Sequence, residues 1–198
     1  AFGSLAVSNL TMDGWGFPTW YNYDSVGRLR HIGYADGDSL GSEANRITYD
    51  ALGRIKTIPG FVTDVTYDAM DRMVAHTNAN GTATSYTYSA DRSWLTGIVT
   101  SKGAATLQNL SYQRDAKGRL VAISSPFGNE GWSSLSYDTL NRLIAATNAT
   151  SSANNQTFAY DLIGNMTHNS RVGTYSYGIS GKPHAVSSAG VNSYTYDA

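Results

Sequence analysis

The chain has 198 residues, with 14 basic and 15 acidic side chains and no cysteine. This near-neutral balance argues against a nucleic-acid-binding protein, in which lysine and arginine cluster on a basic chain. The absence of cysteine excludes disulfides and cysteine-based metal sites or nucleophiles. A chain of this length can bury a sizeable core, and its 14 tyrosines and 20 glycines are typical of a β protein with many turns.

The sequence indicates neither a membrane-spanning helix nor a secretion signal. No apolar run approaches the ~20 residues that a membrane-spanning helix needs. The first ten residues lack the basic start and apolar core of a signal peptide. We therefore expect any export signal to lie outside this sequence, or the chain to be exported by another route.

The elements predicted in chain order are a leading strand and then a series of repeats. Residues 1–20 are predicted to form a leading edge segment, and residues 21–198 to form tandem hairpins marked by the motif Tyr-Asp-x-x-Gly-Arg-Leu. The motif recurs from Tyr23, Tyr49, Tyr67, Tyr137 and Tyr160, with looser copies from Tyr88, Arg114 and Tyr177 and a last copy that ends at Ala198. Successive copies are 17 to 26 residues apart, so the motif has a fixed geometry and the connecting segments vary.

Each motif is predicted to be a tight turn between two strands. Aspartate at the first position of a type I turn can accept a hydrogen bond from the backbone N–H two residues on. The fourth position needs a positive φ, which explains glycine there and Asp71 or Asn141 where glycine is missing. We therefore expect Gly53→Val to destabilise by ~1 kcal/mol or more, and Asn141→Gly to be neutral or stabilising. The residues assigned to these turns are Tyr23, Asp24, Gly27, Arg28, Tyr49, Asp50, Gly53, Arg54, Tyr67, Asp68, Asp71, Arg72, Asp115, Gly118, Arg119, Tyr137, Asp138, Asn141, Arg142, Tyr160, Asp161 and Gly164.

A second, more variable turn is predicted between neighbouring motifs. Glycine-containing pairs mark it at residues 59–60, 80–81, 102–103 and 189–190, and residues 36–45 and 148–155 are longer polar versions. Eight periods of two strands exceed the ~10 strands that an open twisted sheet usually reaches without curling. The repeat therefore predicts an all-β fold of antiparallel hairpins that form a large curved or spiral sheet.

Few residues indicate catalysis or metal binding. Seven of the 13 aspartates occupy the turn position of the motif, and the four histidines are scattered without ligand spacing. Asp36, Asp38 and Glu43 are the best metal candidates, but the calcium-loop pattern fails because Leu40 occupies a ligand position. We predict a polar turn there, no cofactor and no enzymatic activity.

Arginines and tryptophans are the remaining candidates for specific contacts. The motif arginines (Arg28, Arg54, Arg72, Arg119 and Arg142) are predicted to lie over tyrosine rings of adjacent hairpins as cation–π pairs. Trp15, Trp20 and Trp132 could bind sugars or a partner protein if their rings are exposed, although tyrosine and tryptophan also serve as packing residues in sheets.

The Tyr-Asp-x-x-Gly-Arg-Leu unit resembles the RHS or YD repeat of bacterial RHS proteins, of cocoon-forming toxin-complex subunits and of teneurins. The resemblance covers residues 21–198 and includes the stretch Gly-Lys-Pro-His-Ala-Val at residues 181–186. It implies a segment of a hollow β-shell, which in bacterial members commonly encloses a toxic C-terminal domain. The family's self-cleaving core region is not recognisable here, so the resemblance provides no active site.

Two functional hypotheses follow from the sequence. The first is a non-enzymatic shell segment of a secreted or cell-surface bacterial protein, whose partners are the rest of its own polypeptide and an enclosed cargo domain. The alternative is an extracellular module that binds glycans or a receptor. The last motif copy stops directly after Asp197, so we expect an unpaired sheet edge and self-association through a strand at residues 192–196.

Overall fold

The computed structural model describes residues 7–12, 15–128 and 130–197. These residues contain 19 β-strands and one short 3-10 turn, so the all-β prediction is confirmed. No helix in this part of the chain is long and apolar enough to cross a lipid bilayer. The chain divides into two compact units, one with the described residues up to Thr87 together with Ile98–Leu107, the other with Tyr88–Gly97 and the described residues from Gln108 onwards.

The strands follow one another in chain order as antiparallel neighbours. Four strands form the first sheet, two the second and thirteen the third. The first sheet contains β1 (Val7–Met12), β2 (Trp15–Tyr23), β3 (Leu29–Tyr34) and β4 (Ser39–Leu40), and the second contains β5 (Thr48–Tyr49) and β6 (Ile55–Thr57). The third contains β7 (Val62–Tyr67), β8 (Met73–Asn78), β9 (Thr82–Tyr88), β10 (Leu95–Lys102), β11 (Ala105–Arg114), β12 (Leu120–Ser124), β13 (Trp132–Tyr137), β14 (Leu143–Asn148), β15 (Gln156–Tyr160), β16 (Met166–Asn169), β17 (Gly173–Tyr177), β18 (Val186–Ala189) and β19 (Asn192–Ser193). The consecutive hairpins are as predicted, but the strands divide among three sheets instead of one.

Local chemistry explains the two interruptions. Between β4 and β5 the chain turns, and the Ser42 N–H donates to the Asn45 carbonyl (2.7 Å) within the turn instead of to a neighbouring strand. After β6 the backbone reverses within a few residues, leaving a single bridge between Ile58 and Val62. Pro59 follows Ile58 and has no N–H to donate to a ladder. The predicted polar turn at residues 36–45 thus contains a tight turn and the short strand β4.

The ends of the predicted array differ in detail from the sequence interpretation. β2 runs across residue 20, the predicted boundary of the leading segment, and residues 1–6, 13 and 14 lie outside the described residues. The strand predicted at residues 192–196 is only two residues long. Beyond it, the Tyr194 N–H donates to the Ser187 carbonyl (3.0 Å) and the Tyr196 hydroxyl donates to the Val186 carbonyl (3.2 Å).

Little apolar surface is buried within the described residues. The buried apolar side chains are Ile47, Val65, Ala146 and Ala189, and none of the large side chains is fully buried. Strands such as β15 and β17 alternate between half-buried and exposed residues. The sizeable core that the chain length allows is therefore not observed in this part of the chain. Stability has to come from contacts between neighbouring hairpins.

Candidate functional site

The Tyr-Asp turns form a repeated structural unit. In the first copy, the Gly27 N–H donates to the Asp24 carbonyl (3.0 Å) and the Asp24 N–H donates to the Arg28 carbonyl (2.8 Å). The carboxylate oxygen Oδ1 of Asp24 accepts bonds from the N–H groups of Val26 (3.0 Å) and Arg28 (2.9 Å). The bond from two residues on is the one predicted from sequence. The same pair of bonds to Oδ1 recurs at Asp50, Asp68, Asp115, Asp138 and Asp161.

The fourth position of the turn has a left-handed backbone in every one of these copies. The residues are Gly27 (φ +83°), Gly53 (φ +82°), Asp71 (φ +61°), Gly118 (φ +86°), Asn141 (φ +63°) and Gly164 (φ +95°). The hairpin register shifts by one residue at the tyrosine that precedes the turn, which is the bulge that this conformation produces. The positive φ expected at this position is thus observed.

Arginine in the motif also pairs with the aspartate of its own turn, a contact that the sequence analysis did not identify. The Arg28 Nε donates to Asp24 Oδ2 at 2.7 Å. The same ion pair joins Arg54 to Asp50 (2.7 Å) and Arg119 to Asp115 (2.6 Å). It also forms at Arg72 with Asp68 and at Arg142 with Asp138. Each carboxylate therefore binds two backbone N–H groups and one guanidinium.

These bonds lower the pKa of the five motif carboxyls that pair with an arginine. Backbone hydrogen bonding from Arg28 and Arg142 is the largest cause at Asp24 and Asp138, whose pKa values lie below the usual 3.8. The guanidinium bonds of Arg54 and Arg72 are the largest cause of the lowered pKa at Asp50 and Asp68. At Asp115, burial raises the pKa, but the bonds from Arg119 outweigh it. These five aspartates are therefore held as anions.

The arginine also contacts the tyrosine of the next copy. The guanidinium carbon of Arg28 lies 4.7 Å from the ring centre of Tyr49, and the corresponding distance from Arg54 to Tyr67 is 4.4 Å. Equivalent distances join Arg119 to Tyr137 (4.8 Å) and Arg142 to Tyr160 (4.7 Å). The predicted cation–π pairs between adjacent hairpins are confirmed for these four arginines.

The tyrosine hydroxyl makes a second link to the preceding copy. The hydroxyl of Tyr49 donates to the Leu29 carbonyl at 2.8 Å, and that of Tyr137 donates to the Leu120 carbonyl at 2.7 Å. In each case the acceptor is the residue directly after the motif arginine. Tyr67, Tyr160 and Tyr177 make the same bond to Ile55, Leu143 and Met166. The sequence contains one sign of this bond. Tyrosine recurs at a strand position that other aromatic residues would also suit, which indicates that its hydroxyl is used.

Non-glycine residues at the fourth position add a third link. Asp71 Oδ1 accepts a bond from Arg54 Nη1 of the preceding copy at 2.6 Å. Asn141 Oδ1 accepts one from Arg119 Nη1 at 3.0 Å. Asp71 and Asn141 therefore do more than tolerate a left-handed backbone, because their side chains connect neighbouring turns.

The remaining polar candidates occupy structural positions. Asp36 Oδ1 accepts a bond from the Asp38 N–H (3.0 Å), within the tight turn that follows β3. Glu43 pairs with Arg30 and Arg46, each at 2.8 Å. In the part of the chain that the structure describes, no three histidine, aspartate or glutamate side chains are grouped as a metal site would require.

Of the three candidate tryptophans, two lie on β2 and one lies on β13. Trp15 and Trp20 lie on β2 with 73% and 47% of their surface exposed. Trp132 is half-buried on β13 in the other unit, where its register partner on β14 is Asn148. Trp15 instead lines a groove of about 440 Å³ with Phe17 and Tyr34.

Hairpins in series, joined through Tyr-Asp turns, define a tandem β-hairpin repeat protein, and the comparisons with known proteins find similarity to RHS repeats. The family model described as RHS Repeat matches residues 49–83 and 114–153. Toxin subunit YenC1 of Yersinia entomophaga is 27% identical over 190 residues, which cover 80% of this chain and 19% of that protein. Toxin subunit YenC2 of the same organism is 29% identical over 103 residues, which cover 44% of this chain and 10% of that protein. The chain is therefore similar to RHS repeats and to these toxin-complex subunits, and it spans about a tenth to a fifth of the relatives' length.

Solved structures show the same fold. The crystal structure of TcdB2-TccC3 without its hypervariable C-terminal region matches 87% of this chain with a TM-score of 0.69 and 22% identity. The crystal structure of TcdB2-TccC3-Cdc42 matches 83% with a TM-score of 0.67 and 21% identity. In each case the match covers 10% of the solved chain.

Proposed function

We propose that this chain is a non-enzymatic wall segment of a β-shell, within a longer secreted or surface-exposed bacterial protein, and that the shell encloses a toxin or effector domain. The proposal rests on the observation that the polar groups of the motif bond to one another within and between turns. In the copy that begins at Tyr137, the aspartate, arginine and tyrosine all form bonds within or between turns. Such a motif supports a continuous wall and leaves its own carboxylates no role in acid–base catalysis.

Testing whether a domain is enclosed requires the complete parent polypeptide. We expect limited proteolysis of the parent protein to leave the enclosed domain intact while the wall is intact. Weakening the wall with Tyr137→Phe and Arg119→Lys together should expose that domain to cleavage. Tyr175→Phe is the matched control, because the Tyr175 hydroxyl has no hydrogen bond in the described residues. Equal cleavage in all variants, or a downstream domain that is cleaved in the unmodified protein, would contradict enclosure.

The non-enzymatic role has its own test. The purified chain should show no turnover of glycosidase, protease or nuclease substrates. Any turnover that disappears on replacing one aspartate or histidine, with folding preserved by circular dichroism, would overturn the assignment.

The second candidate is a module that binds glycans or a receptor. The exposed ring of Trp15 and the neighbouring Phe17, which is 49% exposed, favour it, because exposed aromatic rings beside polar groups suit sugar binding. A glycan array should then show signals that Trp15→Ala removes and that the control Leu107→Ala, also at an exposed apolar residue, keeps. Absence of any signal at high protein concentration would argue against this candidate.

The last proposed partner is a second copy of the chain, which would pair through the sheet edges. Within the described residues β1 pairs only with β2 and β19 only with β18, so both strands have open edges. Exposed edges can pair with a second copy. Light scattering that gives a monomer at high concentration would contradict this.

A further inference from the structure

The first unit contains a groove whose walls and charges suit a cation. The groove has a volume of about 600 Å³ and lies between the tight turn after β3 and the turn after β6. Its lining residues are Tyr34, Asp36, Asp38, Ser39, Leu40, Ile58 and Phe61. None of these residues belongs to the motif links described above.

The groove walls are aromatic or aliphatic and accessible. The ring of Phe61 is 65% exposed and that of Tyr34 is 40% exposed. Leu40 and Ile58 are half-buried beside them. An exposed cluster of this kind is typical of a binding surface, because soluble proteins rarely leave large apolar side chains together in water without a partner.

The carboxylates of the groove have no counter-ion among the described residues. Of the carboxylates among the described residues of the first unit, all except Asp36 and Asp38 lie in an ion pair. The paired ones are Asp24, Glu43, Asp50, Asp64, Asp68 and Asp71. Both unpaired carboxylates line this groove together with the exposed rings of Phe61 and Tyr34, so its charge is complementary to a cation.

We propose that this groove binds a basic segment of polypeptide by one lysine or arginine side chain. The ammonium or guanidinium group would lie between the Asp36 and Asp38 carboxylates and face the Tyr34 ring, which attracts a cation through its quadrupole. The aliphatic stem of the same side chain would cover Phe61 and Leu40, as long basic side chains do on apolar surfaces. A sugar would use the rings but would gain nothing from two adjacent negative charges.

The test is a titration with two labelled octapeptides that differ only in charge. One contains two lysines and two arginines, and the other contains acetyl-lysine and citrulline at the same positions. We expect the purified chain to bind the basic peptide and to bind the neutral one at least about fivefold more weakly, with the difference shrinking at 1 M salt.

Variants locate the site. Asp38→Asn should weaken binding of the basic peptide about fivefold, and Phe61→Ser should weaken it as well. The matched control is Asp91→Asn, which removes one negative charge at an exposed turn of the other unit and should leave affinity unchanged. The proposal is overturned by equal affinity for both peptides, by equal loss in Asp38→Asn and Asp91→Asn, or by binding of a neutral oligosaccharide that Asp36→Asn and Asp38→Asn leave unchanged.

Discussion

Replacing Asn141 by glycine tests whether the fourth turn position connects hairpins or only permits a turn. Its φ of +63° is left-handed, a conformation that costs most L-residues about 1–2 kcal/mol and asparagine less, so glycine relieves at most ~1 kcal/mol. Glycine also makes the unfolded chain more flexible, which costs about 0.5–1 kcal/mol. These two contributions nearly cancel. The deciding quantity is the lost bond to Arg119 Nη1, worth ~1 kcal/mol at a partly exposed site.

We therefore expect Asn141→Gly to lower the free energy of unfolding by ~1 kcal/mol, measured by urea denaturation at pH 7. The neutral or stabilising effect expected from sequence did not include the bond to Arg119. A double-mutant cycle with Arg119→Lys, which replaces the three-nitrogen guanidinium with a single ammonium and so removes Nη1, should give a coupling energy of ~0.5–1 kcal/mol. Asn141→Gly that is as stable as the unmodified chain, or a coupling energy near zero, would refute the inter-turn role.

The reverse substitution, glycine to asparagine at the fourth turn position, can be made at Gly53 and at Gly164, which gives a matched pair of variants. A Cβ atom placed at Gly53 would lie 3.9 Å from Arg28 Nη1, whereas nothing lies within 4 Å of one placed at Gly164. Asparagine at Gly53 would therefore start beside a guanidinium, whereas asparagine at Gly164 would start farther from one, and Arg142 Nη1 of the preceding copy already donates to the Asp161 carbonyl (3.0 Å). We expect Gly53→Asn to be within ~0.5 kcal/mol of the unmodified chain and Gly164→Asn to be destabilised by ~1 kcal/mol. Equal destabilisation of the two would show that only backbone strain matters.

Three further predictions concern the same turns. Gly53→Val should lower the free energy of unfolding by ~2 kcal/mol, because φ of +82° strains a β-branched residue, and tolerated valine in thermal melts would disprove the turn assignment. Tyr137→Phe should cost ~1 kcal/mol in urea denaturation, because the Leu120 carbonyl loses its partner, whereas Tyr175→Phe should change little. Lowered pKa values at the motif aspartates stabilise the fold above the unfolded-state pKa, so urea midpoints should be level from pH 7 to about 5 and should fall below about pH 4. A midpoint that is unchanged at pH 3 would contradict the last of these.

The internal geometry of each turn could be predicted from sequence because it depends on few, adjacent residues. Aspartate, two tolerant residues and a left-handed fourth position specify hydrogen bonds that reach no further than four residues, as observed at Asp24. The cation–π pairs could be predicted too, since the copies from Tyr23, Tyr49, Tyr67 and Tyr137 carry both a tyrosine and an arginine. Asp24 and Arg28 show the limit of this prediction. The motif predicted the turn hydrogen bonds of Asp24 and the cation–π contact of Arg28, but it did not predict the ion pair between them.

The contacts between copies could not be read from the spacing. The bond from Tyr49 to the Leu29 carbonyl joins residues 20 apart, and the one from Tyr67 to Ile55 joins residues 12 apart. Such bonds depend on the register of neighbouring hairpins. The connecting segments vary in length, so this register cannot be deduced from the sequence spacing. The division into three sheets depends on local details near Asn45 and Pro59 that interrupt the ladder without changing the hydrophobic pattern.

Links that reach only the neighbouring copy have a consequence for how such a chain can change over generations. In the copies that begin at Tyr49 and Tyr137, the ring and hydroxyl of the tyrosine both contact the turn before them. A duplicated or deleted hairpin would therefore restore the same contacts at its two new junctions, as in other repeat proteins whose units interact with nearest neighbours. Array length can then grow or shrink by whole hairpins without repacking a core, while a change of half a hairpin would place a tyrosine against the wrong turn.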